Sequence, residues 1–253
     1  MKILITNKKK LFIVLSVILL IVVTIVGVTY FRTQSVSGSN RELPIYCVET
    51  PKKQVAISFD AAWGNEDTDQ IINILKKYNV KATFFLVGSW VDKYPQDVKK
   101  LAASGHTISN HSDTHPYLSS ITEEEIRGEI SSCNQKIKKL TGSSPLLIRP
   151  PYGDYDNKVI NTVKSMNMYC IQWDVDSLDW QGISAEQITQ NVLTKVKNGS
   201  IVLFHNAAEH TPEALPKIIE TLQSEGYEFV GIDSLIYKDN FYIDVTGKQI
   251  KKS

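Results

Sequence analysis

Cysteine is scarce in this chain. Three occur in 253 residues, Cys47, Cys133 and Cys170, an odd number with wide spacing and no C-x-x-C pair. That pattern fits no disulfide framework, and no chemistry is assigned to the three thiols. Cys170 lies in an apolar run and reads as a small packed hydrophobe. An excess of basic charge is also missing. Five of the 28 basic residues fall in residues 1–35, which hold no acid, so the remainder carries 23 bases against 27 acids. A body with that net acidity lacks the positive surface that sequence-independent nucleic-acid binding requires, and no nucleic-acid partner is expected.

A membrane-length apolar run occurs in one place. "KKKLFIVLSVILLIVVTIVGVTYFR", Lys8–Arg32, sets about eighteen apolar or small residues behind a basic cluster, close to the ~20 that span a bilayer as a helix. A cleaved secretory signal has a shorter core of roughly 7–15 residues, and Ser35-Val36-Ser37 is a weak cleavage candidate. The expected organisation is a basic cytoplasmic tail (1–10), a single-pass transmembrane anchor (11–30), a linker and lead-in (31–54), a main domain (55–236) and a C-terminal tail (237–253). Positive charge on the N-terminal side keeps that end cytoplasmic, so the domain is expected on the outer face of the cell membrane.

From Val55 onward β-prone apolar runs alternate with helix-like stretches. The runs are "VAISFD", "ATFFLVG", "HTISNH", "LLIRPP", "MYCIQWDV", "SIVLFH" and "EFVGI". Helices are expected between them, with Thr122 and Glu125 forming a capping box and Gly142, Gly199 and Gly226 as stop signals. Seven strands separated by helices imply a parallel sheet. An open doubly wound sheet also fits this order. A barrel is favoured because Asp60, His111, Arg149, Asp176 and His205 all fall at or after strand C-terminal ends, which converge on one mouth in a barrel and spread along a line in an open sheet. The tail "NFYIDVTGKQIKKS" reads as a small strand pair.

Four motifs carry potential chemistry beside Asp60. In "SNHSDTHPYL", His111 and His115 are four apart, so on one helical turn both imidazoles reach a single metal ion; two unrelated loop histidines are the plainer reading. Asp113 between them is solvent-facing or fixes the loop. In "RPPYG" two prolines stiffen the strand exit and leave Tyr152 as the first free amide after Arg149, a geometry suited to an oxyanion, while Arg149 can hold a carboxylate through a bidentate pair. "WDVDSLDW" supplies an acid and two tryptophans, with Trp173 assigned to the core and Trp180 to a sugar-stacking wall. "IVLFHN" ends on His205, either a satisfied core histidine or, with a neighbouring acid on its second nitrogen, a proton donor. His106 and His210 are read as non-functional.

The motifs "SFDAAWG", "HSDTH", "RPPYG", "DVDSLDW" and "IVLFH", in this order over about Val55 to Ile232, resemble the NodB-homology polysaccharide deacetylases, carbohydrate esterase family 4. The short anchored layout and the variant first motif are closest to the membrane-anchored sporulation-type members. The resemblance implies a distorted, incomplete (β/α)7 TIM-like barrel with a monomeric catalytic domain. It implies Asp60 as catalytic base, Arg149 as the arginine orienting it, and the Tyr152 amide as oxyanion donor. It matches His205 to the general acid, Asp176 to the acid tuning it, Leu203 to the lining of the acetyl pocket, and His111 and His115 to metal ligands. The metal is expected to be zinc, with cobalt or nickel also suited.

One part of the family pattern is absent. The usual second aspartate of the first motif, a metal ligand, is replaced by Ala61. Two imidazoles form a thin shell, since catalytic zinc commonly has three protein ligands. Weak metal affinity is one consequence; another group such as Asp60 completing the shell, or a degenerate site that only binds glycan, are others. The expected activity is metal-dependent removal of N-acetyl groups from a cell-wall polysaccharide, peptidoglycan first, with a glycan-binding domain and an O-acetyl esterase as alternatives.

Overall fold

The computed structural model describes residues 41–252, so the proposed anchor and basic tail lie outside the described residues. Among the described residues no helix is long and apolar enough to cross a membrane.

The strand that positions the site is β2 (Gln54–Ala61), buried along almost its whole length. Strands buried on both faces need apolar residues on both, as β2 supplies at its start. Val55, Ile57, Phe59 and Ala61 enter an outer apolar layer with Ile71, Leu75, Leu215 and Ile218 from the flanking helices. The alternate residues face inward, where Ala56 joins Phe85, Ile171 and Ile201. Further along, the inward positions turn polar at Ser58 and Asp60. This change of polarity places the chemistry at the C-terminal end.

Parallel partners β8 (Ser200–His205) and β3 (Thr83–Leu86) flank β2, and the sheet continues through β4 (Thr107–Asn110), β5 (Leu147–Ile148) and β6 (Tyr169–Cys170). The expected strand 168–175 is divided. Its first half is β6 against β5, and its second half, β7 (Val175–Asp176), pairs with β8. The chain therefore crosses from one edge of the curled sheet to the other between residues 170 and 175. The lead-in segment fills the seam, with Ile45 N–H donating to Cys170 and Gln172 N–H donating to Ile45 at 2.9 and 2.7 Å. The result is a curled parallel α/β half-barrel rather than an open line of strands.

Short elements at the margins escaped the sequence reading. They include β1 (Cys47–Val48), antiparallel to β8, and a short helix at Gly88–Lys93 directly after β3. β9 (Glu228–Phe229) pairs with the start of β2. The tail forms an antiparallel pair, β10 (Phe241–Ile243) with β11 (Lys248–Lys251), and β11 joins the main sheet through β1. Thr122 and Glu125 form the capping box of helix Glu123–Thr141, which ends on left-handed Gly142. Gly199, read as a helix stop signal, lies well past the end of its helix, which runs Ala185–Leu193.

Candidate active site

β2 and β8 run in register so that Asp60 lies opposite His205. Both line a cavity of about 430 Å³ with His111, His115, Tyr152, Asp176 and Leu203, and with Trp63, Trp173 and Trp180. The strand ends thus bring together every residue expected at the site.

Asp60 is almost fully buried. Its Oδ1 accepts from Arg149 Nη1 at 2.7 Å. Arg149 is wholly inaccessible, donates through Nη2 to Ser58 Oγ (2.8 Å) and the Gln172 carbonyl (3.2 Å), and lies over the Phe85 ring at 4.2 Å. The pair is single-pronged, not bidentate as expected, because the second arm of the fork is spent on Ser58 and Gln172. Burial pushes the Asp60 carboxyl up, but the Arg149 charge, aided by His111 and His205, outweighs it and holds the group below the usual carboxylate range. Asp60 is therefore an ionised base at neutral pH.

His111 follows β4 and is buried. Its Nδ1 lies 2.7 Å from the Arg149 carbonyl, which only accepts, so this nitrogen carries the proton and Nε2 presents a lone pair. Asp60 Oδ2 stands 3.6 Å from that Nε2. The His111 and His115 rings meet edge-on with centroids 4.9 Å apart. They do so without the helical turn the spacing predicts. The chain instead passes through left-handed Ser112 (φ 65°) and His115 (φ 64°). Glu129, on helix Glu123–Thr141, secures this loop by accepting the Asp113 and Thr114 amides, both at 2.8 Å. Asp113 fixes the loop as well, accepting from Ser132 and pairing with Lys136 at 2.8 and 2.7 Å. Close approach needs Gly88, where a Cβ would lie 1.8 Å from Asp113 Oδ1.

Among the described residues no three His, Cys, Asp or Glu side chains are grouped to hold a metal ion. What is present is a thin but suitable donor set. Burial lowers both imidazoles, His115 to about 4, keeping them neutral as ligands must be. His115 Nδ1 is buried without a hydrogen-bond partner, and the Asp60 and His111 lone pairs converge without a donor between them. A divalent cation fits that arrangement. Ala61 contributes nothing to it as folded: its side chain packs in the outer apolar layer and the neighbouring Ala62 lines the cavity. Glu129→Ala should loosen the His115 loop and weaken zinc affinity roughly tenfold, read by chelator competition; unchanged affinity would mean the loop does not set the ligand geometry.

The acid assigned to His205 requires correction. Asp179, not Asp176, meets the imidazole, with Oδ1 at 2.8 Å from His205 Nδ1. Its Oδ2 accepts from the His205 amide (2.8 Å) and Thr211 Oγ1 (2.7 Å), and the side chain is sealed from solvent. Asp176 lines the cavity but its Oδ1 accepts from the Leu178 amide at 2.9 Å, capping its own turn. The reason is backbone geometry: Leu178 is left-handed (φ 59°), which carries the chain under β8 and brings the third acid of "DVDSLDW" to the histidine. Burial depresses the His205 pKa, but the hydrogen bond and charge of Asp179 raise it above the ordinary imidazole value. With Nδ1 committed, Nε2 is the nitrogen left to donate a proton into the cavity.

Tyr152 also has left-handed backbone (φ 60°) in the turn Pro151–Gly153. Its exposed ring packs edge-on to His115 at 4.5 Å. Trp63, not singled out in the sequence, packs on His115 from its own loop at 5.1 Å. Trp173 borders the cavity and also backs Arg149 at 5.4 Å, combining a wall position with the core role expected of it. His106 stays outside the site; burial lowers it to about 4.

Comparison with known proteins bears directly on this arrangement. Residues 48–171 match the polysaccharide deacetylase family. A peptidoglycan-N-acetylglucosamine deacetylase of Bacillus cereus is 39% identical over 188 residues, covering 73% of this chain and 68% of that protein. The solved structure of the Bc1960 peptidoglycan N-acetylglucosamine deacetylase superposes with a TM-score of 0.74 at 37% identity, covering 76% of this chain and 92% of that one. BA3943 of Bacillus anthracis, a CE4 family pseudoenzyme, gives the same TM-score of 0.74 at 35% identity, covering 77% of this chain and 69% of that one.

Proposed function

The chain belongs to the polysaccharide deacetylase family, and from that premise we propose that it hydrolyses N-acetyl groups on amino sugars of a cell-wall polysaccharide, peptidoglycan being the substrate its relatives' names point to. The observation that carries this reading is the pairing of Asp60 and His205 across adjacent strands over the same cavity, the carboxyl held low by Arg149 and the imidazole raised by its bond to Asp179. Amide hydrolysis needs both at once. Asp60 removes a proton from the attacking water, a C–O bond forms at the acetyl carbon, and the Tyr152 amide donates to the oxyanion. The C–N bond then breaks as His205 gives its proton to the leaving amine, yielding acetate and a free amino sugar. Leu203, beside the reacting groups, suits the acetyl methyl. A divalent metal held by His111 and His115, with Asp60 Oδ2 beside them, would polarise the carbonyl and acidify water.

The basic and apolar segment at residues 1–30 supports a membrane anchor that leaves the domain on the outer face, the layout of the sporulation-type members. Acetate release from peptidoglycan and from N-acetylglucosamine oligomers, with and without added zinc, tests the activity. Metal-stimulated release lost in His111→Ala is the expected result; no release above that variant would sink the reading. O-acetylated substrates assayed alongside separate an esterase from an amidase.

A second reading is favoured by one observation: the chain shares its fold and 35% identity with a pseudoenzyme, and Ala61 removes a family ligand. On that reading the domain binds glycan without cleaving it. Saturable glycan binding, unaffected by chelator and without acetate release, would establish it.

A further inference from the structure

The His115 ring lacks the hydrogen bond that orients its partner. His111 is fixed through Nδ1 by the Arg149 carbonyl, whereas His115 Nδ1 is buried with no hydrogen-bond partner among the described residues. A metal-ligating imidazole is ordinarily oriented by a hydrogen bond from its second nitrogen. At His115 the orientation falls to ring packing instead. The neighbours are His111 at 4.9 Å, Tyr152 at 4.5 Å with Tyr117 stacked behind it, and Trp63 at 5.1 Å. The Trp63 side chain is 66% exposed, so little packing fixes it and its place is set by the backbone of its loop.

That backbone is held from the end of β8. Asn206, one residue past His205, donates through Nδ2 to the Trp63 and Gly64 carbonyls, both at 2.8 Å. Both partners only accept, which identifies the carboxamide nitrogen as the atom facing them. The Gly64 carbonyl has a second donor in Trp90 Nε1 at 2.6 Å. For the Trp63 carbonyl, Asn206 is the sole donor among the described residues. The same two loops meet again at Asp67, whose Oδ2 accepts from the Ala207 amide at 2.9 Å. Asp67 stands at the N-cap of helix Thr68–Lys77 but makes no capping hydrogen bond there. A residue type that ordinarily caps a helix is thus committed to the loop contact. Left-handed Gly64 (φ 57°) permits the close approach, since a Cβ there would lie 2.7 Å from that of Ala207.

We propose that Asn206 is a positioning residue: by clamping the Trp63 loop to the end of β8 it fixes the His115 ring, so that the strand carrying the general acid also sets the geometry of a metal ligand. With Ala61 in place of a family ligand, each remaining imidazole carries a larger share of the metal affinity. The inference rests on the deacetylase reading for the roles of His115 and His205, but its test is metal affinity rather than turnover. Zinc affinity is measured by chelator competition for wild type, Asn206→Ala, Asn206→Asp, Trp63→Ala and the double variant Asn206→Ala with Trp63→Ala. Each single substitution should weaken zinc binding about tenfold, the lower end for a residue that orients a ligand. Asn206→Asp should lose at least as much as Asn206→Ala, because a carboxylate keeps the shape but donates nothing and faces two carbonyl oxygens. The double variant should stay within about twofold of Trp63→Ala alone, where independent losses would multiply to roughly a hundredfold. Affinity retained in Asn206→Asp would show that donation is not what matters, and multiplying losses would show that Asn206 does not act through Trp63. Either result overturns the clamp. A lower melting temperature with unchanged zinc affinity would reduce Asn206 to a cap on β8 and overturn it too, as would a wild type that binds no zinc. Acetate release, followed alongside, separates the two readings. The expected zinc losses without acetate release from the wild type uphold the clamp and remove the deacetylase. Acetate release with equal zinc affinity across the variants removes the clamp and keeps the deacetylase.

Discussion

Asp60→Asn should lower kcat by roughly a hundred- to ten-thousand-fold, the range for loss of a positioned general base. The substitution preserves shape but leaves an amide that takes no proton from water. It also leaves the Arg149 guanidinium buried without its countercharge. Removing one partner of a buried ion pair costs about 3 kcal/mol or more, so a fall in melting temperature of roughly 6–12 °C should accompany the loss of activity. The sign of the pH dependence follows from the direction of the shift. Burial raises the Asp60 carboxyl, but Arg149 overcomes it and the folded value lies below the unfolded one. Its stabilising contribution is therefore complete above the unfolded carboxylate pKa and disappears as pH falls through the lowered folded value. The difference in melting temperature between wild type and Asp60→Asn should be largest near neutrality and shrink in acid. A variant that keeps activity within threefold, or a pH-independent difference in stability, would show that Asp60 is neither the base nor the partner that holds Arg149 charged.

Much of this pair was legible in the sequence because β2 and β8 are strong local signals. "VAISFD" and "SIVLFH" are continuous apolar runs that end on a polar residue, and strands buried on both faces look like that. The capping box at Thr122 and the glycine stop at Gly142 were equally direct, since each depends on a side chain a few residues away. The misread features depend on backbone torsions that side-chain pattern does not encode. Left-handed Ser112 and His115 deliver two histidines to one place by a route that imitates the helical spacing without using it. The strand at 168–175 keeps one apolar pattern while its pairing changes from β5 to β8, and only the closure of the sheet reveals that exchange. Ala61 was read as a gap in the pocket because the motif carries the family ligand there, whereas strand alternation turns its side chain outward. Trp63 and Tyr117 were single aromatics in loops, and what distinguishes them is contact with His115 and Tyr152 from separate segments.

The sharpest separation between pattern and structure concerns Asp176 and Asp179, two of the three acids of "DVDSLDW". Asp179→Asn should reduce kcat by roughly a hundredfold or more, while Asp176→Asn should stay within about tenfold. The argument is one of acceptor count. Asp179 supplies acceptors to three donors at once: His205 Nδ1 through one oxygen, and the His205 amide and Thr211 hydroxyl through the other. An asparagine supplies one oxygen and places an N–H₂ where the second stood. Either the imidazole or the strand end loses its partner, and the buried group left over has no water to turn to. The charge that opposes burial at His205 is lost as well, so its pKa falls from above the ordinary imidazole value toward the value burial alone would impose. A smaller fraction is then protonated at neutral pH, and the basic limb of the kcat profile should move to lower pH in Asp179→Asn. Asp176→Asn leaves that limb nearly in place, because Asp176 bonds to the Leu178 amide and acts on His205 only through space. Stability gives an independent sign. In the wild type the raised His205 pKa contributes stability that is complete below the unfolded pKa and lost as pH rises through the folded one. The melting deficit of Asp179→Asn should therefore be greater at pH 5.5 than at pH 9. If Asp176→Asn instead moves the basic limb and Asp179→Asn does not, the histidine is tuned through space from the cavity wall, and the short contact to Asp179 serves only to anchor the end of β8.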